Sequence, residues 1–415
     1  MKTLIRNETV IRKILQDLKL KDDEEPFYMV DVDDVIMKWN EWKETMPRVE
    51  PFYAVKCNPD IVVLHVLAAL GVNFDCSTKK EIETVLNVGV QPSRIIYANT
   101  CKGPSHLKYA EENGVDLMTF DNEAELHKIK KLYPDARLVL RIKVDDSGSI
   151  LKLSLKFGAE SDEVSHLLDV AKDLNLQVVG VSFHVGCNCQ DPLAFHKAIE
   201  SAKNIFNLGR DRGFNMNVLD IGGGFPGHRD HAIAFPEFGH AINDALDIHF
   251  PPGCGVKILA EPGRYFITSA FTLLASVIGK REVPAREKSN ACTMYTINEG
   301  VYSAFNNLIY HNTKWKPTPL VDAPDTKLKV STIWGPTCDS VDQVSKNCLL
   351  PNMSIGDWIA FEDIGSYTMA CASNFNGFST TKTKYLMSPP FLAYFQQQPV
   401  CPTLREMISS SIIKT

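Results

Sequence analysis

Two hydrophobic periods alternate along the middle of the chain, from about residue 50 to residue 265. Short apolar or β-branched runs recur as PFYAVK, VNFDCS, RIIYANT, DLMTFD, RLVLRIKV, VVGVSFHVG, NVLDIGGG and VKILAEPG. Between them lie stretches of helical period such as DIVVLHVLAALG, EAELHKIKKLY, EVSHLLDVAKDL and PLAFHKAIESAKNIFNLG, several closing on a Gly suited to a helix C-cap. Eight strand and helix units in one unbroken series predict an α/β fold, a (β/α)8 TIM-like barrel rather than an open doubly wound sheet. We expect the barrel over residues 32–267. Outside it the pattern changes: PFYMVDV near residue 26, then FTLLASVIG, ACTMYTI, KLKVSTIW, DWIAFEDIG and YTMACAS, read as strands without intervening helices. Residues 1–31 plus 268–415 are therefore expected to form a second, β-rich domain, sheet or β-barrel-like. The stretch Tyr265 to Gly279 reads as buried strand, too short and too rich in hydroxyls to span a bilayer.

In such barrels the C-terminal ends of the strands face the site, and here several ends are polar: Lys56, Asp75, Asn99, Asp121, Arg141, His184 and Glu261. With period 2, Phe52, Ala54 and Lys56 share one face. A single lysine in this position is usually one half of an ion pair; the alternative is an amine held for Schiff-base chemistry. Neighbouring motifs decide. Gly222, Gly223 and Gly224 in DIGGGFPG offer backbone amides with no Cβ in the way, as phosphate binding requires. The same stretch fits G-x-G-x-x-G through Gly222, Gly224 and Gly227. It follows the seventh strand rather than the first, however, and Pro226 removes an amide where a dinucleotide-binding helix would start. Directly after the eighth strand, EPGRYF supplies Glu261 and Arg264. A lysine, a glycine turn, an arginine and a carboxylate are the groups that hold pyridoxal 5'-phosphate, by its aldehyde, phosphate, phosphate and ring nitrogen respectively. His184, at the mouth of the sixth strand, is placed to stack on a flat ring. Cys338 and Asp339, in WGPTCDSVDQV, lie far along the chain, so the second domain or another subunit must bring them in.

Composition narrows the class. The 44% apolar content of 415 residues is ample for a core, and a net charge of -6 gives no electrostatic case for nucleic acid or an anionic membrane. MKTLIRNETVIRK has no apolar h-region, and eleven scattered cysteines suit reduced thiols, so a cytoplasmic location is expected. Cys187 and Cys189 have no second ligand pair nearby, and no metal site is expected.

Taken in order, PFYAVKCN, FDCSTKKEIE, LVLRIKVDDSGS, LKFGA, FHVGCNC, LDIGGGFPG, EPGRYF, WGPTCDSVD and SYTMACASNFNGF make the chain resemble, nearly end to end, the eukaryotic ornithine decarboxylase family of barrel-fold pyridoxal-phosphate decarboxylases. The resemblance implies that Lys56 is the Schiff-base lysine, with Asp75, Glu81 and Arg141 beside it. It implies that His184 stacks on the ring, that Gly222 to Gly224, Arg264 and Tyr367 hold the phosphate, and that Glu261 keeps the ring nitrogen protonated. Cys338 is implied as the proton donor to Cα, Asp339 as the binder of the distal amine, and Phe375, with Tyr310 and His311 in IYHN, as substrate-pocket residues. In the family these last groups come from the partner subunit, so a homodimer with two shared sites is implied.

Three positions depart from the family pattern. Cys187 stands where Ser is usual near the cofactor, Asn188 where Gly is usual, and His311 where an acidic residue helps to bind the terminal amine. The implied activity is decarboxylation of L-ornithine to putrescine and carbon dioxide, the entry to polyamine synthesis. The alternatives are a decarboxylase of lysine or arginine, or a non-catalytic paralogue like the antizyme inhibitors. An antizyme-like regulator is left open as a partner. The chain ends soon after the family's core, so the degradation tail of some animal members is expected to be absent.

Overall fold

The computed structural model describes residues 6–20, 23–284, 291–310, 313–321, 327–397 and 412–414. Their contacts divide them into two compact units, one within 35–266 and the other joining 6–34 to the described residues from 267 onward.

The first unit is a closed barrel of eight parallel strands: Val49–Ala54, Asn73–Cys76, Ile95–Tyr97, Leu117–Phe120, Arg137–Arg141, Gln177–Ser182, Val218–Asp220 and Lys257–Ala260. Each of the eight apolar runs overlaps one of them. The eighth strand closes on the first through Ile258 opposite Val49 and Ala260 opposite Pro51. Phe52, Ile96, Leu117, Val139, Val179, Val218 and Leu259 meet in the interior, so the barrel centre is packed rather than open. Closure leaves no room for a side chain at Gly180, where a Cβ would stand 2.0 Å from the Val218 carbonyl oxygen.

Local sequence sets the helix starts. The Asp60 carboxylate accepts from the amides of Val62 and Val63 and opens helix Ile61–Ala69, whose apolar residues are buried almost all round. Thr78 and Asn122 do the same for Lys79–Asn87 and Glu123–Leu132. Trp42 donates to the Val49 carbonyl at 2.9 Å and packs its ring against Phe225, Phe235, Tyr265 and Phe266 at 5.0 to 6.0 Å. An indole so enclosed contributes about 3–5 kcal/mol relative to alanine.

The second unit is built on a nine-stranded sheet. Its order runs Gln343–Leu350, Lys329–Trp334, Cys292–Ile297, Phe271–Val283, Phe27–Asp31, Lys382–Met387 and Ile412–Lys414, with Trp358–Phe361 and Thr318–Pro319 off this path. The N-terminal strand sits mid-sheet, antiparallel to Phe271–Val283 and parallel to Lys382–Met387. Helix Glu8–Lys19 covers one face, burying Ile11, Ile14, Leu15 and Leu18 against Phe27, Met29, Leu274 and Leu386.

Three local expectations are corrected. YTMACAS is not a strand: Met369–Cys371 is a 3-10 turn. Tyr367 has φ 56°, the Thr368 hydroxyl closes a turn onto the Ile364 carbonyl at 2.7 Å, and these break the pleat. Tyr265 to Gly279 is not continuous strand, since Arg264–Ile267 is a short helix before the strand opens at Phe271. The first barrel strand ends at Ala54, so Lys56 lies on a 3-10 turn, Val55–Cys57, rather than in the pleat. Among the described residues no helix is long and apolar enough to cross a membrane.

Candidate active site

The turn that carries Lys56 is held from both sides. Tyr53 donates its hydroxyl to the Asn58 carbonyl at 2.9 Å, and the Ala54 amide donates to Pro262, in the segment after the eighth strand, at 3.1 Å. Lys56 Nζ donates to Asp75 Oδ2, which the strand register brings alongside, Ala54 being opposite Asp75. Asp75 is wholly buried, and its Oδ1 has no hydrogen-bond partner among the described residues. Burial pushes its carboxyl up to about 7; Lys56 pulls it down, Glu261 pushes it further up, and Arg141 again pulls down.

Around this pair stand the other strand-end groups. Arg141 ends the fifth strand with its guanidinium 4.8 Å from the centre of the Phe157 ring. Glu81 is raised by burial and feels both Asp75 and Lys56; its carboxylate also accepts from the Ser77 amide, while its own amide donates to the Thr78 hydroxyl at 3.2 Å. His184 Nδ1 accepts from the Gly186 amide at 3.0 Å, which puts the proton of a neutral ring on Nε2. Burial, then the cations Arg141 and Lys56, hold this imidazole well below its ordinary value, so it is neutral at pH 7. Cys187 lies on the short strand Cys187–Cys189; burial raises its thiol while Arg264, Lys56 and Arg141 pull it down. Asn188 has φ 54°, a left-handed backbone that Asn tolerates better than most residues, which is how it stands where Gly is usual.

The glycine turn is sterically required. A Cβ on Gly222, at φ 64°, would stand 2.2 Å from the Phe183 carbonyl oxygen, and one on Gly224 would stand 2.8 Å from that of Gly186. One on Gly223 would meet the Glu261 carbonyl at 2.8 Å and His184 Nε2 at 2.9 Å. The turn therefore lies against both His184 and Glu261. Glu261 Oε1 is buried without a hydrogen-bond partner among the described residues, and burial followed by Asp220 raises the carboxyl.

Asp220 is a site residue that sequence reasoning missed: it is buried, raised by burial, and in contact with Glu261. Its position at the end of an apolar run, like that of Asp75, was the available signal, overshadowed by the glycines that follow. The barrel thus brings together Lys56, Asp75, Glu81, Arg141, His184, Cys187, Gly222, Gly223, Gly224, Glu261 and Arg264. An unpartnered buried carboxylate oxygen and a cradle without Cβ atoms fit the ring nitrogen and phosphate of pyridoxal phosphate.

The second unit organises the remaining candidates by itself. Asp342, 1% exposed, accepts from the amides of Val301 and Thr337 at 2.8 and 3.0 Å and from the Thr337 hydroxyl at 2.7 Å, fixing the WGPTCDSVD loop. On that loop Cys338 is exposed, with its amide directed at Asn376 Oδ1 at 3.4 Å. Asp339 accepts from the Tyr302 hydroxyl and from the Val341 amide, which lower its carboxyl below the usual range. Tyr302 also stacks on Phe375 with centroids 4.3 Å apart, and both line a cleft with Glu299, Thr337 and Phe378. Tyr302 is a second residue the sequence reading missed, because nothing in VYSAF marks it. Tyr310 is 66% exposed at the end of a short helix, Tyr367 is partly buried, and His311 lies outside the described residues.

Comparison with known proteins gives concordant matches. The family described as pyridoxal-dependent decarboxylase, pyridoxal binding domain, matches residues 32–268. Rat ornithine decarboxylase is 47% identical over 388 residues, covering 91% of this chain and 84% of the rat protein. Antizyme inhibitor 2 of Xenopus laevis is 46% identical, with coverage of 91% and 84%. Among solved structures, the arginine decarboxylase of Paramecium bursaria Chlorella virus, bound to agmatine, superposes with a TM-score of 0.85 at 39% identity, covering 91% of this chain and 100% of that one.

Proposed function

The chain belongs to the eukaryotic ornithine decarboxylase family of pyridoxal-dependent decarboxylases, and on that premise we propose that it converts L-ornithine to putrescine and carbon dioxide, the entry step of polyamine synthesis. Its cofactor is pyridoxal phosphate, which when bound supplies an electron sink for the pair left on Cα as carbon dioxide departs.

The roles assigned to the chain's own residues follow from their chemistry. Lys56 is the amine for the aldehyde, and Asp75 beside it orients that amine. Glu261 presents its unpartnered oxygen to the ring nitrogen. Gly222 to Gly224, with Arg264 and Tyr367, take the phosphate. His184, neutral and fixed by Gly186, covers a ring face without adding a cation, and Arg141 supplies positive charge on the barrel side. Glu81 and Cys187 complete the wall. In the second unit, Cys338 delivers a proton to Cα after carbon dioxide leaves, and Asp339 holds the distal ammonium. Phe375 and Tyr310 are assigned to the same pocket, and His311 to substrate binding by its place in the sequence. We assign these residues to the partner's site in a homodimer, and the protein to the cytoplasm.

The observation that carries the reading is the complete set of barrel groups converging on Lys56, with Cys338 and Asp339 both retained. A non-catalytic binding protein has no need of that set. The relation to antizyme inhibitor 2 is the specific reason to keep a binding role as the second reading, with an antizyme-like protein as partner. Carbon dioxide release from L-ornithine, L-lysine and L-arginine, measured side by side with added pyridoxal phosphate, decides between them. We expect the highest kcat/KM for ornithine. Preference for lysine or arginine would move specificity to His311, and no turnover on any of the three would leave the binding role.

A further inference from the structure

One buried carboxylate has no role in this scheme. Asp220 ends the seventh barrel strand, 1% exposed, two residues before Gly222 of the glycine turn. Its Oδ1 accepts from the Gly222 amide at 2.9 Å, the first amide of the glycine turn. Its Oδ2 is buried and has no partner that donates to it among the described residues. The side chain lies in hydrogen-bonding contact with the carboxyl of Glu261, whose Oε1 is equally without a donor. The main chains are tied in the same place, because the Glu261 amide donates to the Gly222 carbonyl at 2.7 Å and the Phe183 amide to the Asp220 carbonyl at 3.1 Å.

Two carboxyls in contact cannot both ionise without strong repulsion unless a proton or cation lies between them. The charged groups that face the pair are Lys56 from the first strand's turn, Asp75 from the second strand and Arg141 from the fifth, with the neutral His184 against Gly223. Two cations therefore face three carboxyls, Asp75, Asp220 and Glu261, and Lys56 is already engaged by Asp75. A proton held between the Asp220 and Glu261 carboxyls relieves that repulsion.

We propose that Asp220 is a positioning residue that shares one proton with Glu261 and, through the Gly222 amide, ties that carboxyl to the phosphate turn. This rests on the pyridoxal phosphate reading of the site. The shared proton holds the two carboxyls together and leaves the other Glu261 oxygen for the ring nitrogen, while the amide bond sets where the phosphate cradle stands relative to it. One side chain thus fixes both anchors. Asparagine at this position keeps an acceptor for Gly222 and offers Glu261 a donor, but it holds no titratable proton; alanine loses both contacts.

The test is an absorbance titration of the full chain, freed of cofactor, with pyridoxal phosphate from about pH 6 to about pH 9. Wild type, Asp220→Asn, Asp220→Ala, Glu261→Gln and the Asp220→Asn/Glu261→Gln double variant are compared. We expect Asp220→Asn to weaken binding about tenfold and to remove a pH-dependent step seen in wild type, and Asp220→Ala to weaken it roughly a hundredfold. The double variant should bind within about threefold of Glu261→Gln, since the two carboxyls act as one unit. Retention of the wild-type pH step in Asp220→Asn, or losses that multiply in the double variant, would overturn the proposal. Infrared spectra decide it independently of whether any Asp220 or Glu261 variant folds. A protonated-carboxyl band near pH 7 that is lost by about pH 9 and that remains when Asp75 is replaced by Asn supports the shared proton, and its absence overturns it. A wild type that takes up no pyridoxal phosphate overturns the functional reading instead, and the infrared band still decides the proton.

Discussion

At the scale of single residues, the site is a place where burial and charge oppose each other. Asp75 is wholly buried beside Lys56, yet its carboxyl is raised to about 7, because desolvation outweighs the attraction of one partly exposed amine. Asp220 and Glu261 are raised as well, both by burial; Asp220 raises Glu261 further, while the hydrogen bond with Glu261 pulls Asp220 down. Their unfolded values lie near 4, so between about pH 4 and about pH 8 the folded chain binds more protons than the unfolded one. Stability from these groups is therefore full below their unfolded values and lost as pH rises through the folded ones. The melting temperature of the cofactor-free protein is expected to fall between about pH 6 and about pH 9, and the fall should be shallower in Glu261→Gln. A melting temperature that rises over that interval would mean that Asp75 and Glu261 are ionised in the folded chain. Individual residues also show what a motif conceals. Asp220 was readable as a polar strand end but sat in the shadow of three glycines, whereas Tyr302 became visible only once its hydroxyl was found on Asp339 and its ring on Phe375.

At the scale of elements, the glycine turn is the part whose sequence and shape are most tightly joined. Gly223→Ala leaves the backbone conformation allowed and places a methyl group against the Glu261 carbonyl and the His184 ring, beside the amide proposed to bind the cofactor phosphate. Gly222→Ala adds a left-handed φ to a 2.2 Å approach to the Phe183 carbonyl. We expect Gly223→Ala to fold with cofactor affinity reduced at least about tenfold, and Gly222→Ala also to lower stability by about 2–4 kcal/mol. Thermal melts of the apoprotein together with pyridoxal phosphate titrations separate the two, and wild-type affinity in Gly223→Ala would show that the turn does not cradle the phosphate. The eight barrel strands were legible because parallel strands enclosed by helices are nearly continuous apolar runs. YTMACAS was misread for the same reason: β-branched and aromatic residues favour a pleat locally, but Tyr367 in the left-handed region and the Thr368 side-chain bond to Ile364 are set by the loop in which they sit. The strand period likewise carried Lys56 onto the face of Phe52 and Ala54, while the chain leaves the pleat at Val55 to turn.

For the whole molecule, the groups proposed for one reaction are divided between two units, Lys56 and Glu261 on the barrel and Cys338 and Asp339 on the β-rich unit. If each site is completed by the partner subunit, neither Lys56→Ala nor Cys338→Ala can act alone, but mixing them creates heterodimers with one intact site. Random exchange then restores up to about a quarter of wild-type activity, measured as carbon dioxide release after mixing. No recovery, with subunit exchange shown by light scattering of tagged chains, would place both groups in one protomer. The sequence by itself determined the barrel and most of the polar groups gathered at its strand ends, because alternation of period, strand-end polarity and glycine spacing are local properties of the chain. It also pointed to the N-terminal strand as part of the C-terminal sheet, where Phe27 pairs with Leu274. The tertiary structure alone decided which of those groups touch. Contact between Asp220 and Glu261, the opposition of Lys56 to a buried Asp75, and the seating of Asp339 on Tyr302 all join residues distant in the chain or on different strands. Their energies depend on burial and on facing charges, quantities that exist only once the chain has closed around them.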